Sequence, residues 1–285
     1  MYVAIIGLGL IGGSIGLALK RADESGWRVV GYARRPEVAS AALNSGIVDQ
    51  IETSLTGTVR EADLVVIATP VLTIKGILSQ IADYLPPGCV VTDTASTKLQ
   101  VMKWADELLP PAVNFIGGHP MAGKETYGIQ AAEGQLFQGC TYCLTPAEKA
   151  SPEAIDRVSN FVKKLGATPF FVDAQEHDNL VAGVSHLLIL LSAALVSATA
   201  KDTSWHKMSK LATSGYRDLT RLASGNPEVN AHICLSNQEA ILHWLDKFNK
   251  ELDSYRQLVT SGGKRLEEAL AEANEARREW LSKTQ

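Results

Sequence analysis

Short uninterrupted runs of apolar residues recur along the first 172 positions, and stretches of helical period separate them. Residues 2–6 (YVAII), 28–33, 64–68 (LVVIA), 90–92 and 114–117 read as strands, with two more around 142–144 and 169–172. Between them, 11–20, 38–45, 74–84, a segment running from beyond Lys98 to 109, and 151–165 read as helices. A strand that is apolar at every position is covered on both faces. Such strands alternating with helices predict a parallel sheet with helices on either side. Beyond Asp173 the strand pattern stops. Residues 175–200, 205–211, 230–260 and 263–283 read as helices, the last with the Ala, Glu, Arg and Leu content that favours helix. The expected fold class is α/β: a doubly wound parallel sheet over residues 1–172, then an all-helical domain over 173–285. No repeat and no low-complexity linker interrupts it.

Composition narrows this picture. The chain has 285 residues, 46% of them hydrophobic and 20% charged, with a net charge of −4. That suits two medium domains with real cores and argues against nucleic acid, which needs a concentrated basic face. The start, apolar and running straight into glycines, has no basic leader, so a cytoplasmic protein is expected. Residues 180–200 carry no Asp, Glu, Lys or Arg. About 20 apolar residues can span a bilayer, but this stretch holds Gly183, Ser185, His186, Ser192, Ser197 and Thr199, and no Lys/Arg cluster or Trp/Tyr belt flanks it. It reads as a helix buried between subunits or in a core. Cys140 and Cys143 form a CxxC that falls in an expected strand, away from the helix N-terminus a redox pair needs. They have no second ligand pair for zinc, so these and Cys89 and Cys234 read as reduced thiols and no metal site is expected.

The first strand leads directly into Gly7-Leu8-Gly9-Leu10-Ile11-Gly12, which opens the first helix. Strand, GxGxxG and helix in that order are the dinucleotide-binding arrangement of a Rossmann-type domain. Gly7 allows the tight turn, Gly9 lets a pyrophosphate approach the backbone, and Gly12 lets helix and strand pack closely. An NAD-selective site carries an acid about 20 residues further on, for the ribose 2′-hydroxyl. Here the second strand ends Gly31-Tyr32-Ala33-Arg34-Arg35, with no acid and two arginines. Arginine pairs well with phosphate, so NADP is expected ahead of NAD, unless the pair is merely solvated. Thr69 and Pro70, closing the LVVIA strand, join this candidate cofactor set, because ligands of open parallel sheets bind at strand C-termini.

Three further segments look chemically loaded. Thr92–Lys98 (TDTASTK) and Gly117–Gly123 (GGHPMAG) are each expected just past a strand end, and SGYRDLTRLA begins at Ser214. With GLGLIGGS and EHDNLVAGVSHL they occur in the order found in the prephenate/arogenate dehydrogenases, which the chain resembles from its N-terminus to about Asn226. That resemblance implies oxidative decarboxylation of prephenate or arogenate and a homodimer joined through the helical domain. It implies that His119 is the base taking the ring hydroxyl proton, which suits a neutral imidazole. Ser96 would hydrogen-bond near the reacting hydroxyl and nicotinamide, and is also a natural helix cap. Arg221 matches the arginine that grips a substrate carboxylate. Arg217 lies four residues earlier, on the same face if the segment is helical, or pairs with Asp218 at the surface. Glu125 matches an acid that gates the pocket through Arg221. His177 and His186 match the family's upstream HD and the first His of its SHLPH pattern, or are histidines satisfied in a helix core. The chain departs from that pattern at Ile189, where the second His would stand, and this removes a donor that a keto substrate could use. Arogenate is therefore expected over prephenate. A β-hydroxyacid dehydrogenase would show a GxxGxGxxxKxxxN-like helix, and none follows Asp173. A non-catalytic NADP-binding protein need not keep His119, Ser96 and Arg221 together.

Overall fold

All the runs read as strands enter one eight-stranded sheet. The structure, a computed structural model, describes residues 1–22 and 26–284. Strands β1 (Tyr2–Ile6), β2 (Arg28–Tyr32), β3 (Gln50–Ile51), β4 (Leu64–Ile67), β5 (Val90–Asp93), β6 (Asn114–Pro120), β7 (Thr141–Pro146) and β8 (Thr168–Phe171) lie in the order β3-β2-β1-β4-β5-β6-β7-β8. Helices α1 (Leu10–Arg21), α2 (Pro36–Asn44), α3 (Leu55–Val59), α4 (Ile74–Ile81), α5 (Leu99–Leu108) and α6 (Pro152–Lys164) intervene. Strand order reverses between β1 and β4, so the C-terminal ends of these two strands border the crevice where open α/β sheets bind ligands. This is a Rossmann-type domain.

The sheet separates two cores. Val3, Ile5, Leu64 and Val66 pack toward Ile15 of α1 and Phe161 of α6. Ala4, Ile6, Val65 and Ile67 pack toward Leu78 of α4 and Trp104 of α5. Each such Val, Ile or Leu, fully buried, contributes roughly 1.5–3 kcal/mol relative to exposure. That is why runs such as Leu64–Ile67 are apolar at every position, whereas β8 at the sheet edge leaves Phe170 and Phe171 half exposed.

The sheet is parallel except at one pairing, where β6 runs antiparallel to β7. No crossover helix joins them. The connection carries only a short 3₁₀ turn at Ile129–Ala131, so the chain returns in the opposite direction. This pairing also lengthens β6. Its register with β5 ends at Thr92↔Ile116, but β7 continues it through His119↔Cys143 to Pro120↔Tyr142. His119 therefore stands within a strand rather than past its end.

After β8 come α7 (Ala174–Val181), one π-turn (Ala182–His186), α8 (Leu187–Ala200), α9 (Trp205–Leu211), α10 (Ser214–Thr220), α11 (Pro227–Ser236), α12 (Gln238–Ser261) and α13 (Lys264–Thr284). The helix expected over 175–200 is thus interrupted, and the one expected over 230–260 breaks at Asn237, whose backbone (φ −129°, ψ 39°) is not helical. The chain forms two compact units, Met1–Gln238 and Glu239–Gln285. Within the first, Asp173 caps α7 by accepting from the N–H groups of Gln175 and Glu176. In the second, Tyr255 donates to the Ala269 carbonyl at 3.5 Å.

Candidate active site

Gly7 sits at φ +98°, and a Cβ there would press on the Ala68 carbonyl and the Thr69 methyl. A Cβ on Gly12 would overlap the Gly7 carbonyl oxygen. The turn therefore closes against the end of β4, and the Gly7 N–H donates to Tyr32 O at 2.9 Å beside the end of β2. Thr69 and Thr73 hydroxyls are 2.9 Å apart and stiffen the loop that starts at Pro70. At Gly9, the N-cap of α1, no side chain caps the helix, and an added Cβ would meet open space. The first turn of α1 has no acid. Free N–H groups and the helix dipole thus face an open backbone surface, which fits a dinucleotide pyrophosphate. Leu8 is buried beneath the turn, and Leu10 and Ile11 are partly buried. Arg34 and Arg35 are exposed beyond β2, and Arg35 Nε lies 3.8 Å from Glu37 Oε1.

A second cluster gathers on β5, β6 and α7. His119 Nδ1 lies 2.9 Å from His177 Nε2, and His177 Nδ1 lies 2.8 Å from Asp178 Oδ1. The two carboxylate oxygens of Asp178 also accept from the backbone N–H groups of Lys98 (2.7 Å) and Leu99 (2.9 Å), so Asp178 caps the start of α5 from another helix. These contacts order the protons. The Asp178 oxygens act as acceptors, so His177 Nδ1 carries hydrogen. With both rings neutral, His177 accepts at Nε2, His119 donates from Nδ1, and His119 Nε2 keeps its lone pair. Burial holds the His119 pKa well below the usual histidine range, and the neighbouring charges of His177, Lys98 and His186 push it the same way.

Beneath His119, the fully buried Lys98 ammonium pairs with Asp93 and donates to the Gly118 carbonyl at 2.6 Å. Asp93 in turn accepts from the N–H groups of Gly118 (3.1 Å) and Ala95 (2.8 Å). A buried ion pair is affordable only when its remaining hydrogen-bonding positions are filled, as here. Its effect is to pin the strand segment that presents His119. Ser96 is half-buried in the loop between Asp93 and Lys98, and its neighbour Thr97 is tied to Ser236 of α11 at 2.9 Å. Ser96 is not the cap of α5: Lys98 holds the N-cap position and Asp178 supplies the acceptor.

Arg221 starts a 3₁₀ turn after α10, and its Nη1 lies 3.2 Å from Glu125 Oε2, both groups about half exposed. The Glu125 carboxyl is held low first by its own backbone N–H, then by Arg221. Ser192 of α8 accepts from Ala223 N at 2.9 Å and anchors this turn. Arg217 is exposed on α10. His186 is buried in the π-turn, and burial pushes its pKa down to about 4. Ile189 follows it on α8, half-buried. Among the described residues no group of His, Cys, Asp and Glu could hold a metal ion.

The sequence-derived candidates thus fall into three places: the glycine turn with its flanking loops, the His119–His177 pair near Ser96, and the Arg221–Glu125 pair. Sequence reasoning missed the roles of Asp178, Lys98 and Asp93. Asp178 was signalled by standing next to His177, and Lys98 and Asp93 by standing in the TDTASTK segment.

A family model described as the nucleotide-binding domain of prephenate dehydrogenase matches residues 15–170, and one described as its dimerization domain matches 173–273. The prephenate dehydrogenase of Bacillus subtilis (strain 168) is 37% identical over 259 residues, 90% of this chain and 70% of that protein. The crystal structure of Synechocystis arogenate dehydrogenase is 32% identical, covers 98% of this chain and 100% of its own, and superimposes with a TM-score of 0.82. The prephenate dehydrogenase from A. aeolicus, solved in complex with hydroxyphenyl propionate and NAD+, is 29% identical over 98% of both chains, with a TM-score of 0.90.

Proposed function

The chain belongs to the prephenate dehydrogenase family of NAD(P)-dependent oxidoreductases, and from that premise we propose that it converts arogenate, in preference to prephenate, to the aromatic product and CO2, using NADP and with His119 as the base. The cofactor is a nicotinamide dinucleotide. Bound on the glycine turn, it supplies the acceptor for the hydride that leaves the ring carbon bearing the hydroxyl. The residues of this chain do the rest. His119 Nε2 takes the hydroxyl proton as C–OH becomes C=O, and the ring aromatises as its carboxylate leaves as CO2, the phenolate oxygen so formed taking the proton back from His119. His177 and Asp178 hold the His119 ring with its lone pair outward and stabilise the imidazolium that forms. Ser96 orients the hydroxyl. Arg221, and Arg217 beside it, hold a substrate carboxylate, with Glu125 closing on Arg221 when the pocket is free.

The observation that carries this reading is the ordered Asp178–His177–His119 chain, which leaves one buried imidazole neutral and accepting. NADP rests on the missing acid after β2 and on Arg34 and Arg35. Arogenate rests on Ile189, which cannot donate to a keto group. We read residues 1–172 as the cofactor domain and 173–285 as the substrate and dimerisation domain of a cytoplasmic homodimer. Purified protein incubated with NADP and each substrate, with NADPH followed by absorbance, tests the activity. Silence with both substrates and both cofactors overturns it.

A further inference from the structure

Asn237 occupies the break between α11 and α12. It is buried to 7% exposure and belongs to none of the motifs that mark the site. Its amide nitrogen donates to the backbone carbonyl of Asp178 at 2.7 Å and lies 3.1 Å from His186 Nδ1. A carbonyl only accepts, so the Asp178 contact fixes which end of the amide is nitrogen. The same –NH2 therefore points a hydrogen at His186 Nδ1, which must accept it. The remaining hydrogen of a neutral His186 is then on Nε2. That nitrogen is buried, and the backbone of Ser96 is the ring's hydrogen-bonding neighbour beside Asn237. The groups around this ring are His177 and Asp178 of α7, Asn237, and the Ser96 backbone, with His119 close enough to feel its charge.

Asn237 also reaches the proton chain by a second route. The carbonyl it holds belongs to Asp178, whose carboxylate sets the hydrogens of His177 and His119 and caps α5. One amide thereby fixes both histidine arrangements.

We propose that Asn237 is a positioning residue for this reaction: it holds His186 as an Nε2–H donor toward the backbone of the Ser96 loop, and it fixes the backbone of Asp178 and so the orientation of the His177–His119 pair. The proposal rests on the dehydrogenase reading above. Its first test needs no substrate. In protein labelled with 15N at histidine, long-range proton–nitrogen NMR reports which ring nitrogen carries hydrogen. Wild-type His186 should read as neutral, with hydrogen on Nε2. Asn237→Asp has the same shape but cannot donate to either acceptor. His186 should then take hydrogen on Nδ1 or become protonated at higher pH, and kcat/KM should fall by up to about 10²-fold, the scale of a small misplacement at a site. Asn237→Ser has one hydroxyl hydrogen for two acceptors and should move both readouts the same way, by less. It serves if the Asp variant does not fold.

A wild-type His186 with hydrogen on Nδ1 overturns the proposal. So does a folded variant that keeps the wild-type tautomer, or one that changes it with kcat/KM intact. A wild-type protein inactive on arogenate and prephenate sinks the dehydrogenase reading instead, and leaves the tautomer measurement standing.

Discussion

At the scale of single residues, the site is a problem of keeping one imidazole neutral and aimed. Burial first, and the charges of His177, Lys98 and His186 after it, lower the His119 pKa. A base works deprotonated, so activity is lost as pH falls through its pKa, and a lowered pKa defers that loss. We expect the acid limb of the kcat/KM profile to lie below the ordinary histidine range. A limb at or above roughly pH 6.5 would contradict the assignment. The same sign governs stability. Folded His119 and His186 bind protons more weakly than they do unfolded, so their contribution is present above the unfolded pKa and drains away as pH falls toward the folded values, which for His186 is about 4. His119→Asn should still bind cofactor and lose turnover by about 10²–10⁴-fold, and near-normal turnover in that variant ends its role as base. Arg34→Ala should weaken NADP far more than NAD, because only NADP carries the 2′-phosphate. Equal weakening of both, measured by titration, shows a solvated arginine.

At the scale of elements, legibility followed how local each cause is. The strands of the parallel sheet were readable because burial on both faces makes every position apolar, as in Leu64–Ile67. Two-residue β3 and five-residue α3 carry too few positions for any period, and the latter is marked only by Ser54 accepting from Gly57 N. The antiparallel turn of β7 was invisible because a connection without a helix leaves no pattern. The break at Asn237 was hidden for a different reason: its causes, Asp178 and His186, lie 59 and 51 residues away. The candidate site residues were readable one by one, but the bonds that order their protons were not. Substrate choice belongs to this scale too, because it turns on one position of α8. With Ile189 where the family pattern has a histidine, that position offers no donor to a prephenate keto group. A neutral hydrogen bond is worth about 0.5–1.5 kcal/mol, so arogenate should win by less than about fifteenfold in kcat/KM. A clear prephenate preference refutes this, whereas Ile189→His raising prephenate use supports its cause.

At the scale of the whole molecule, the most apolar stretch is also poorly covered. Residues Ala174–Ala200 contain a window of mean hydropathy 2.2, of which only 28% is buried within one chain. Leu180 is 52% and Val184 70% exposed, and Leu188 joins them. Length and composition alone would let this stretch cross a membrane. Yet the same stretch carries the buried Asp178–His177 chain and His186, and Ser192 anchors the Arg221 turn, so moving it into lipid would dismantle the site. A second copy of the chain would cover the exposed face without that cost. An apolar surface of this extent is unusual on a soluble monomer, and a symmetric pair buries it twice at about 25 cal/mol per Å². We expect a homodimer in sedimentation at micromolar concentration, without detergent. Ala194 is exposed in the middle of α8, and glutamate is a good helix former, so Ala194→Glu should leave the isolated chain folded while placing a charge in the interface. It should shift the protein to monomer with its circular dichroism unchanged. A wild-type monomer, a wild-type protein soluble only in detergent, or a dimer indifferent to Glu at this position each overturns the assignment of this helix to the interface.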